Sequence, residues 1–152
     1  MKKKSLQTGF TLIELMVVIV ILGILIATGI ANVKIAVNRA RIADVKVNMH
    51  TFQTMVEIYS GKWSGFYPQN VSQLYTEATS PDSPYWKELK NPYLETFGPG
   101  KSYGDESSPK VKGIMTYDPY PPTLVTAYYI YGYEEDSVRI QTRSGDYTVS
   151  NK

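Results

Sequence analysis

The stretch GFTLIELMVVIVILGILIATGI, residues 9–30, is an apolar run that contains a single acid, Glu14. Counted from Phe10 to Ala31, it would extend about 33 Å as an α-helix, which matches a bilayer core of about 30 Å. A carboxylate inside such a segment costs a few kcal/mol even on lenient insertion scales. The run therefore predicts a membrane-spanning helix in which Glu14 has a purpose that outweighs its cost.

The composition limits what the rest of the chain can be. Of the 152 residues, 43% are hydrophobic and 20% are charged, which argues against wholesale disorder and against a polytopic membrane protein. Setting aside the apolar N-terminal part leaves roughly 100 residues, enough for one small domain. Cysteine is absent, so disulfides and thiolate metal sites are ruled out.

The first nine residues form a basic leader that carries Lys2, Lys3 and Lys4 and no acid. Since the whole chain has a formal net charge of +2, the remainder is nearly neutral, which argues against nucleic acid as a partner. A secretory signal peptide would end in a small-residue cleavage site, whereas Ala31 leads into more helix-like sequence, so we expect the apolar segment to be retained. Positive charges on both sides of the segment leave its orientation open.

Beyond residue 31, apolar residues recur at alternating steps of three and four, which predicts an amphipathic helix. The stripe consists of Ile42, Val45, Met49, Phe52, Val56 and Tyr59. We therefore predict one helix from about Phe10 to Ser60, apolar all round over residues 10–31 and amphipathic over residues 32–60. Gly23 and Gly29 each weaken it by roughly 1 kcal/mol, and serve either close packing of neighbouring helices or local melting or bending.

After residue 61 the sequence is rich in turns and strand-like runs. Short helical turns are predicted for residues 71–78 and for residues 83–92, where Ser83 is placed to cap and Pro84 suits the first helical position. Residues 98–109 are predicted as a loop. Four runs with short connections predict an antiparallel meander whose apolar face is covered by the helical stripe. These strands are predicted over residues 111–117, 123–133, 137–143 and 147–150.

The basic leader, Gly9, Phe10, Glu14 and the apolar run together resemble the class III leader and N-terminal helix of type IV pilins and the related pseudopilins. The resemblance implies an α+β fold of the pilin lollipop type, with a long helix packed on a small antiparallel sheet. It also implies a cleaved leader at 1–9, a transmembrane or filament-core helix at 10–31, the amphipathic half of that helix at 32–60, and a globular part with an αβ loop at 61–152.

The same resemblance implies roles for individual residues. A prepilin peptidase would cut between Gly9 and Phe10 on the cytoplasmic side and methylate the new terminus. In the filament core, the Glu14 carboxylate of one subunit would meet the Phe10 amine of a neighbour, the alternative being that Glu14 merely extends to the membrane interface. Helices of related fibres unwind over a stretch like that between Gly23 and Gly29, although no proline follows here.

The implied function is that of a structural subunit, not an enzyme, in a type IV pilus-like filament. Two alternatives remain open: a major pseudopilin of type II secretion, and a minor or competence pilin that binds DNA. The implied partners are copies of the chain, the prepilin peptidase, and an assembly platform with its ATPase. The implied location is the inner membrane, single-pass with a cytoplasmic N terminus, followed by an extracellular pilus or a periplasmic pseudopilus.

Other candidate chemistry is sparse. No phosphate loop, Ser/His/Asp order or catalytic acid pair is recognisable, and His50 is interpreted as a surface or interface residue. We expect no cofactor, with calcium as an open alternative, since carboxylates supply its ligands. The calcium candidates are Glu134, Glu135, Asp136 and Asp146, which are otherwise interpreted as parts of solvated turns. The many tyrosines suit strands, and an aromatic binding surface or electron conduit is the alternative.

Overall fold

The computed structural model describes residues 9–82, 84–142 and 145–151, with Ala31 described only by its place in a helix. The chain divides into two compact units, Met1–Val37 and Asn38–Lys152. The described residues form two helices and six strands. These are α1 Leu12–Lys62, α2 Val71–Ala78, β1 Tyr103–Asp105, β2 Met115–Tyr120, β3 Ala127–Gly132, β4 Gln141–Thr142, β5 Gly145–Asp146 and β6 Thr148–Ser150.

The first unit contains the apolar part of α1. This helix is long and apolar enough, by length and composition, to cross a membrane. It runs without a break through Gly23 and Gly29, and a Cβ atom added at either glycine would meet nothing within 4 Å. The predicted long N-terminal helix is therefore confirmed, beginning at Leu12 and ending at Lys62.

The core of the second unit lies between α1 and the sheet. Val45, Met49, Phe52 and Val56 are fully buried and Tyr59 is nearly so, because the three-and-four spacing puts them on one side of the helix. They pack in one cluster with side chains from the facing strands, which include Met115, Tyr117, Tyr128 and Ile130. The predicted cover of the sheet by the helical stripe is confirmed.

The main sheet has four strands in the order β1-β2-β3-β6. β2 pairs antiparallel with β3 and β3 with β6, whereas β1 runs parallel to β2. In this register Tyr117 lies opposite Ile130, and Ile130 lies opposite Val149. The fold is thus α+β with a mostly antiparallel sheet, as predicted, but it is not a simple meander.

The prediction of a main-sheet strand over residues 137–143 was wrong. Just after β3 the chain forms an isolated bridge between Tyr133 and Arg139, and the Ile140 amide donates to the Gly132 carbonyl oxygen at 2.8 Å. It then continues into a separate ribbon of β4 and β5. The Tyr147 amide donates to the Ile140 carbonyl oxygen at 2.6 Å. This hydrogen bond closes the base of the β4–β5 ribbon, and the chain then returns to the main sheet. β6 therefore takes the place beside β3, and the described residues of the ribbon strands stay exposed.

The prediction of a helical turn over residues 83–92 was also wrong, although α2 matches its predicted range. The amides of Tyr85 and Trp86 donate to the Ala78 carbonyl oxygen at 2.9 and 3.0 Å, and the Lys87 amide donates to Met55 Sδ at 3.1 Å. Since these donors bond to other elements, no local helical hydrogen-bond ladder forms. Ser83, the predicted cap, lies outside the described residues.

The strand limits differ from prediction in three further places. β1 occupies part of the predicted loop 98–109, because Tyr103 is buried and its strand pairs with β2, with Tyr103 opposite Met115. β2 begins only at Met115, since the Ile114 amide bonds back to Val111 and Gly113 adopts φ of +77° in the turn before it. β3 covers only the second half of the predicted run 123–133.

We expect Gly132→Val to lower the free energy of unfolding by about 1–3 kcal/mol, the usual cost of overpacking a core. A Cβ atom at Gly132 would lie 2.7 Å from Met49 Sδ and 2.8 Å from Val45 Cγ1, both on α1. Urea unfolding of the full chain in nonionic detergent measures the change. Gly61→Val is the matched control, because a Cβ atom at Gly61 meets nothing within 4 Å. Equal stability of the two variants would contradict the close approach of β3 to α1.

Candidate functional site

The candidate site at the start of α1 is organised by a capping box. The Thr11 amide donates to Glu14 Oε2 at 2.9 Å, and the Thr11 hydroxyl donates to the same oxygen at 2.7 Å. In return, the Glu14 amide donates to Thr11 Oγ1 at 3.4 Å. The spacing T-x-x-E before an apolar run is a known sequence signal for this arrangement, and it identifies Thr11 as a site residue that the sequence analysis missed.

The capping box explains how the chain carries an acid in its apolar run. Amides in the first turn of a helix lack partners within the helix, and the positive end of the helix dipole favours a carboxylate there. Glu14 meets both needs in the first turn of α1. The carboxylate thus has local partners within a single chain and is held one helical turn from Phe10.

The predicted cleavage point lies just before this cap. Gly9 and Phe10 are outside the helix, and the Phe10 side chain is 82% exposed. A Cβ atom at Gly9 would meet nothing within 4 Å, so the backbone is open to approach from outside. The leader lysines Lys2, Lys3 and Lys4 lie outside the described residues.

The apolar part of α1 exposes its side chains on all sides. Shallow grooves of about 340 and 310 Å³ lie between them on the first turns, and one of these is lined by both Phe10 and Glu14. An exposed apolar surface of this extent marks a site of contact with lipid or with other proteins. The large apolar side chains from Leu12 to Ile26 are all about half exposed or more.

Three of the four calcium candidates lie at one turn, and the fourth, Asp146, lies in β5. Glu134, Glu135 and Asp136 lie at a turn closed by bonds from the Glu134 amide to Val138 and from the Ser137 amide to Glu134. Asp146 instead accepts a hydrogen bond from Arg139 Nη1 at 3.2 Å. Among the described residues, no group of three or more His, Asp or Glu side chains is placed to hold a metal ion.

Glu106 is the centre of a charged network in the second unit. Its Oε1 accepts from Arg139 Nη2 at 2.9 Å and from the Tyr133 hydroxyl at 3.2 Å. Its Oε2 accepts from the Thr116 hydroxyl and lies 3.3 Å from Lys110 Nζ. Both oxygens are thus used by donors of the chain itself, and the network joins β2 to the segment before β4. Sequence reasoning missed it, because its members are far apart along the chain.

The Glu106 network makes stability depend on pH. Burial alone raises the pKa of Glu106, but the bonds from Thr116 and Arg139 and the charge of Lys110 outweigh burial and bring the pKa below its ordinary value of 4.5. The charged form is therefore favoured by folding, so this stabilisation is present above pH 4.5 and is lost as the pH falls through the lowered pKa.

We expect Glu106→Gln to lower the free energy of unfolding by about 1–3 kcal/mol at pH 7, as for a lost charge-assisted hydrogen bond, and to reduce its pH dependence at acid pH. Urea unfolding between pH 3 and 7 tests both effects. Glu95→Gln is the control, because the Glu95 side chain is 67% exposed and pairs with a surface lysine, Lys90. A wild-type pH profile in Glu106→Gln would refute the assignment.

His50 and several tyrosines make contacts that hold the fold together. His50 shares a hydrogen bond of 2.9 Å between its Nε2 and the Tyr147 hydroxyl, which ties α1 to the segment before β6. Tyr117 and Tyr128 are fully buried in the core. Tyr129 and Tyr131 stack with ring centroids 6.3 Å apart. These contacts explain several tyrosines by packing.

The comparisons with known proteins agree with this site. The chain has an exposed apolar helix that begins at a capping box, and its residues 4–30 match the family model described as the prokaryotic N-terminal methylation motif. The chain is also 41% identical over 64 residues to the type IV major fimbrial protein FimA of Dichelobacter nodosus. These two findings support the resemblance to type IV pilins that the leader and the apolar run show in the sequence.

The extent of the matches is limited. The alignment with the fimbrial protein covers 41% of this chain and 41% of the relative, so it spans less than half of that relative's length. No solved structure matches.

Proposed function

We propose that the chain is the precursor of a structural subunit of a type IV pilus-like filament, without catalytic activity of its own. The observation that carries the proposal is the start of α1: an open Gly9–Phe10 junction, a Thr11–Glu14 capping box, and an apolar helix exposed on all sides. Such a helix needs an apolar environment, first in lipid and then against other helices. The methylation motif at residues 4–30 supports the same proposal.

The resemblance to type IV pilins supports the following course of processing and assembly. A prepilin peptidase cuts between Gly9 and Phe10 and methylates the new amine, while the inner membrane stores the subunit with its N terminus in the cytoplasm. An assembly platform with its ATPase then transfers the subunit into the filament. The Glu14 carboxylate exchanges its local cap for the Phe10 amine of a neighbouring copy, because a charge left unpaired in a low-dielectric core is strongly disfavoured.

A surface filament is favoured over the envelope-confined pseudopilus of type II secretion. The relative that shares 41% identity is a major fimbrial protein, which supports the surface form. The lack of cysteine favours the alternative, since many surface pilins close a C-terminal loop with a disulfide.

We also propose that the helix melts at Gly23 and Gly29 in the fibre.

Mass spectrometry of the mature N terminus tests the proposal in cells that contain the assembly machinery. Sheared extracellular material and washed envelopes are compared. Methylated Phe10 in the sheared fraction supports a surface filament, and processed protein confined to envelopes supports the pseudopilus instead. An intact leader in both fractions would contradict the proposal altogether.

We expect Gly9→Val to leave the leader uncleaved in at least about nine of ten molecules. A peptidase must approach the backbone closely at the scissile bond, and a β-branched side chain blocks an approach that glycine allows. The ratio of intact to processed N termini in washed envelopes measures the effect. Leu12→Val is the control, since it adds a β-branched side chain inside α1 and leaves the junction unchanged. Normal cleavage of Gly9→Val would show that the junction lies elsewhere.

A further inference from the structure

A groove of about 460 Å³ lies in the second unit between α2 and the segment that leads into β1. This volume is within the range of small-molecule sites. The proposed filament function rests on the first turns of α1 and assigns no role to the groove. Its lining includes Tyr75, Glu88, Tyr103 and Asp105.

Two aromatic rings form the walls of the groove. Tyr75 is 45% exposed, whereas Tyr103 is only 2% exposed. Trp86 packs edge-on against both, with centroid distances of 4.9 Å to Tyr75 and 5.2 Å to Tyr103. The rings are thus held by each other, and the half-exposed Tyr75 gives the groove an aromatic surface of the kind that attracts cations.

The charged groups of the groove are negative. Glu88 and Asp105 both line it, and among the described residues no Lys, Arg or His side chain does so. Within the described part of the chain, neither carboxylate takes part in a salt bridge. Burial, together with the charge of Glu88, raises the pKa of Tyr103 to about 12, so this phenol stays neutral and adds no charge of its own at pH 7.

Both carboxylates are positioned by the fold. Glu88 Oε2 accepts from Trp86 Nε1 at 3.1 Å. Asp105 Oδ1 accepts from the Val71 amide at 2.8 Å, which joins the end of β1 to the start of α2. Each of these two contacts uses one oxygen of its carboxylate, and the other oxygen takes no part in it. The groove therefore combines two placed negative charges with aromatic walls.

We propose that this groove binds a linear aliphatic diamine. One ammonium group pairs with Glu88 and the other with Asp105, while the methylene chain lies against the half-exposed Tyr75. Charge-assisted hydrogen bonds and cation–π contacts both favour an organic cation over a neutral ligand of the same shape. An anion is disfavoured, because both carboxylates would repel it.

The test uses full-length protein in nonionic detergent at low ionic strength, titrated with 1,5-diaminopentane. Trp86 fluorescence reports binding, in a Trp63→Phe background that removes the second tryptophan. We expect a saturable change with the diamine, none with 1,5-pentanediol, and weaker binding as salt is added. An equal response to the diol, or no saturation with the diamine, would overturn the proposal.

Matched variants test the two carboxylates. Glu88→Gln keeps an oxygen for Trp86 Nε1 but removes the charge, and we expect at least tenfold weaker diamine binding; Asp105→Asn should behave similarly. Glu135→Gln removes an exposed charge that does not line the groove, and we expect no change. Equal weakening in all three variants would mean nonspecific charge attraction and would refute the site. Tighter binding of an acetylated Ala-Lys-Ala peptide than of the diamine would also refute it, in favour of a peptide ligand.

Discussion

Glu14→Gln is expected to abolish filament assembly while cleavage before Phe10 continues. The substituted side chain can keep the capping box with Thr11, because glutamine also serves at this position. It cannot pair as an anion with the Phe10 amine of a neighbour. Removing one partner of a buried ion pair costs about 3–5 kcal/mol, which corresponds to a roughly 100-fold or greater loss in the association constant for each subunit.

The measurement is the yield of sheared filaments, with the N terminus of envelope-bound subunits determined in parallel. Thr11→Val is the control, because it removes the hydroxyl that contacts Glu14 Oε2 and keeps the charge. A lost cap costs about 1 kcal/mol, so we expect this variant to assemble. Wild-type filament yield from Glu14→Gln would refute the ion pair, and failure of Thr11→Val alone would show that assembly depends on the cap.

Asn91→Ala is expected to lower the free energy of unfolding by about 3–5 kcal/mol, since each buried polar group left without a partner costs about 1–3 kcal/mol. Asn91 is fully buried. Its Nδ2 donates to the carbonyl oxygens of Lys101 at 2.6 Å and Lys112 at 2.8 Å. Its Oδ1 accepts from the amides of Tyr93 at 2.8 Å and Leu94 at 3.1 Å. One side chain thus satisfies four backbone groups in three separate segments.

Thermal unfolding of the full chain in detergent, followed by near-UV circular dichroism, measures this effect. For a unit of about 100 residues, a loss of 3 kcal/mol lowers Tm by at least about 12 °C. Asn48→Ala is the matched control, because Asn48 bonds through Nδ2 to the Lys90 carbonyl oxygen at 2.8 Å, and we expect a loss near 1 kcal/mol. Similar Tm values for the two variants would contradict the structural role of Asn91.

The sequence by itself determined the features that depend on near neighbours along the chain. The apolar run follows from its length and composition, and the helical stripe from Ile42 to Tyr59, α2 and the T-x-x-E cap follow from spacings of three and four residues. A helix satisfies its backbone hydrogen bonds within the same segment, so its pattern is complete in a short window of sequence. The N-terminal motif is readable for the same reason.

Only the tertiary structure decided the pairings between distant segments. Nothing near Tyr103 in the sequence indicates that its strand runs parallel to β2, or that β6 displaces the segment after residue 140 beside β3. The predicted turn over residues 83–92 failed because its amides found acceptors on α2 and α1. Strand pairing, the buried contacts of Asn91 and the partly buried contacts of Glu106 depend on partners brought together by folding, and their hydrogen bonds are not encoded in any local spacing.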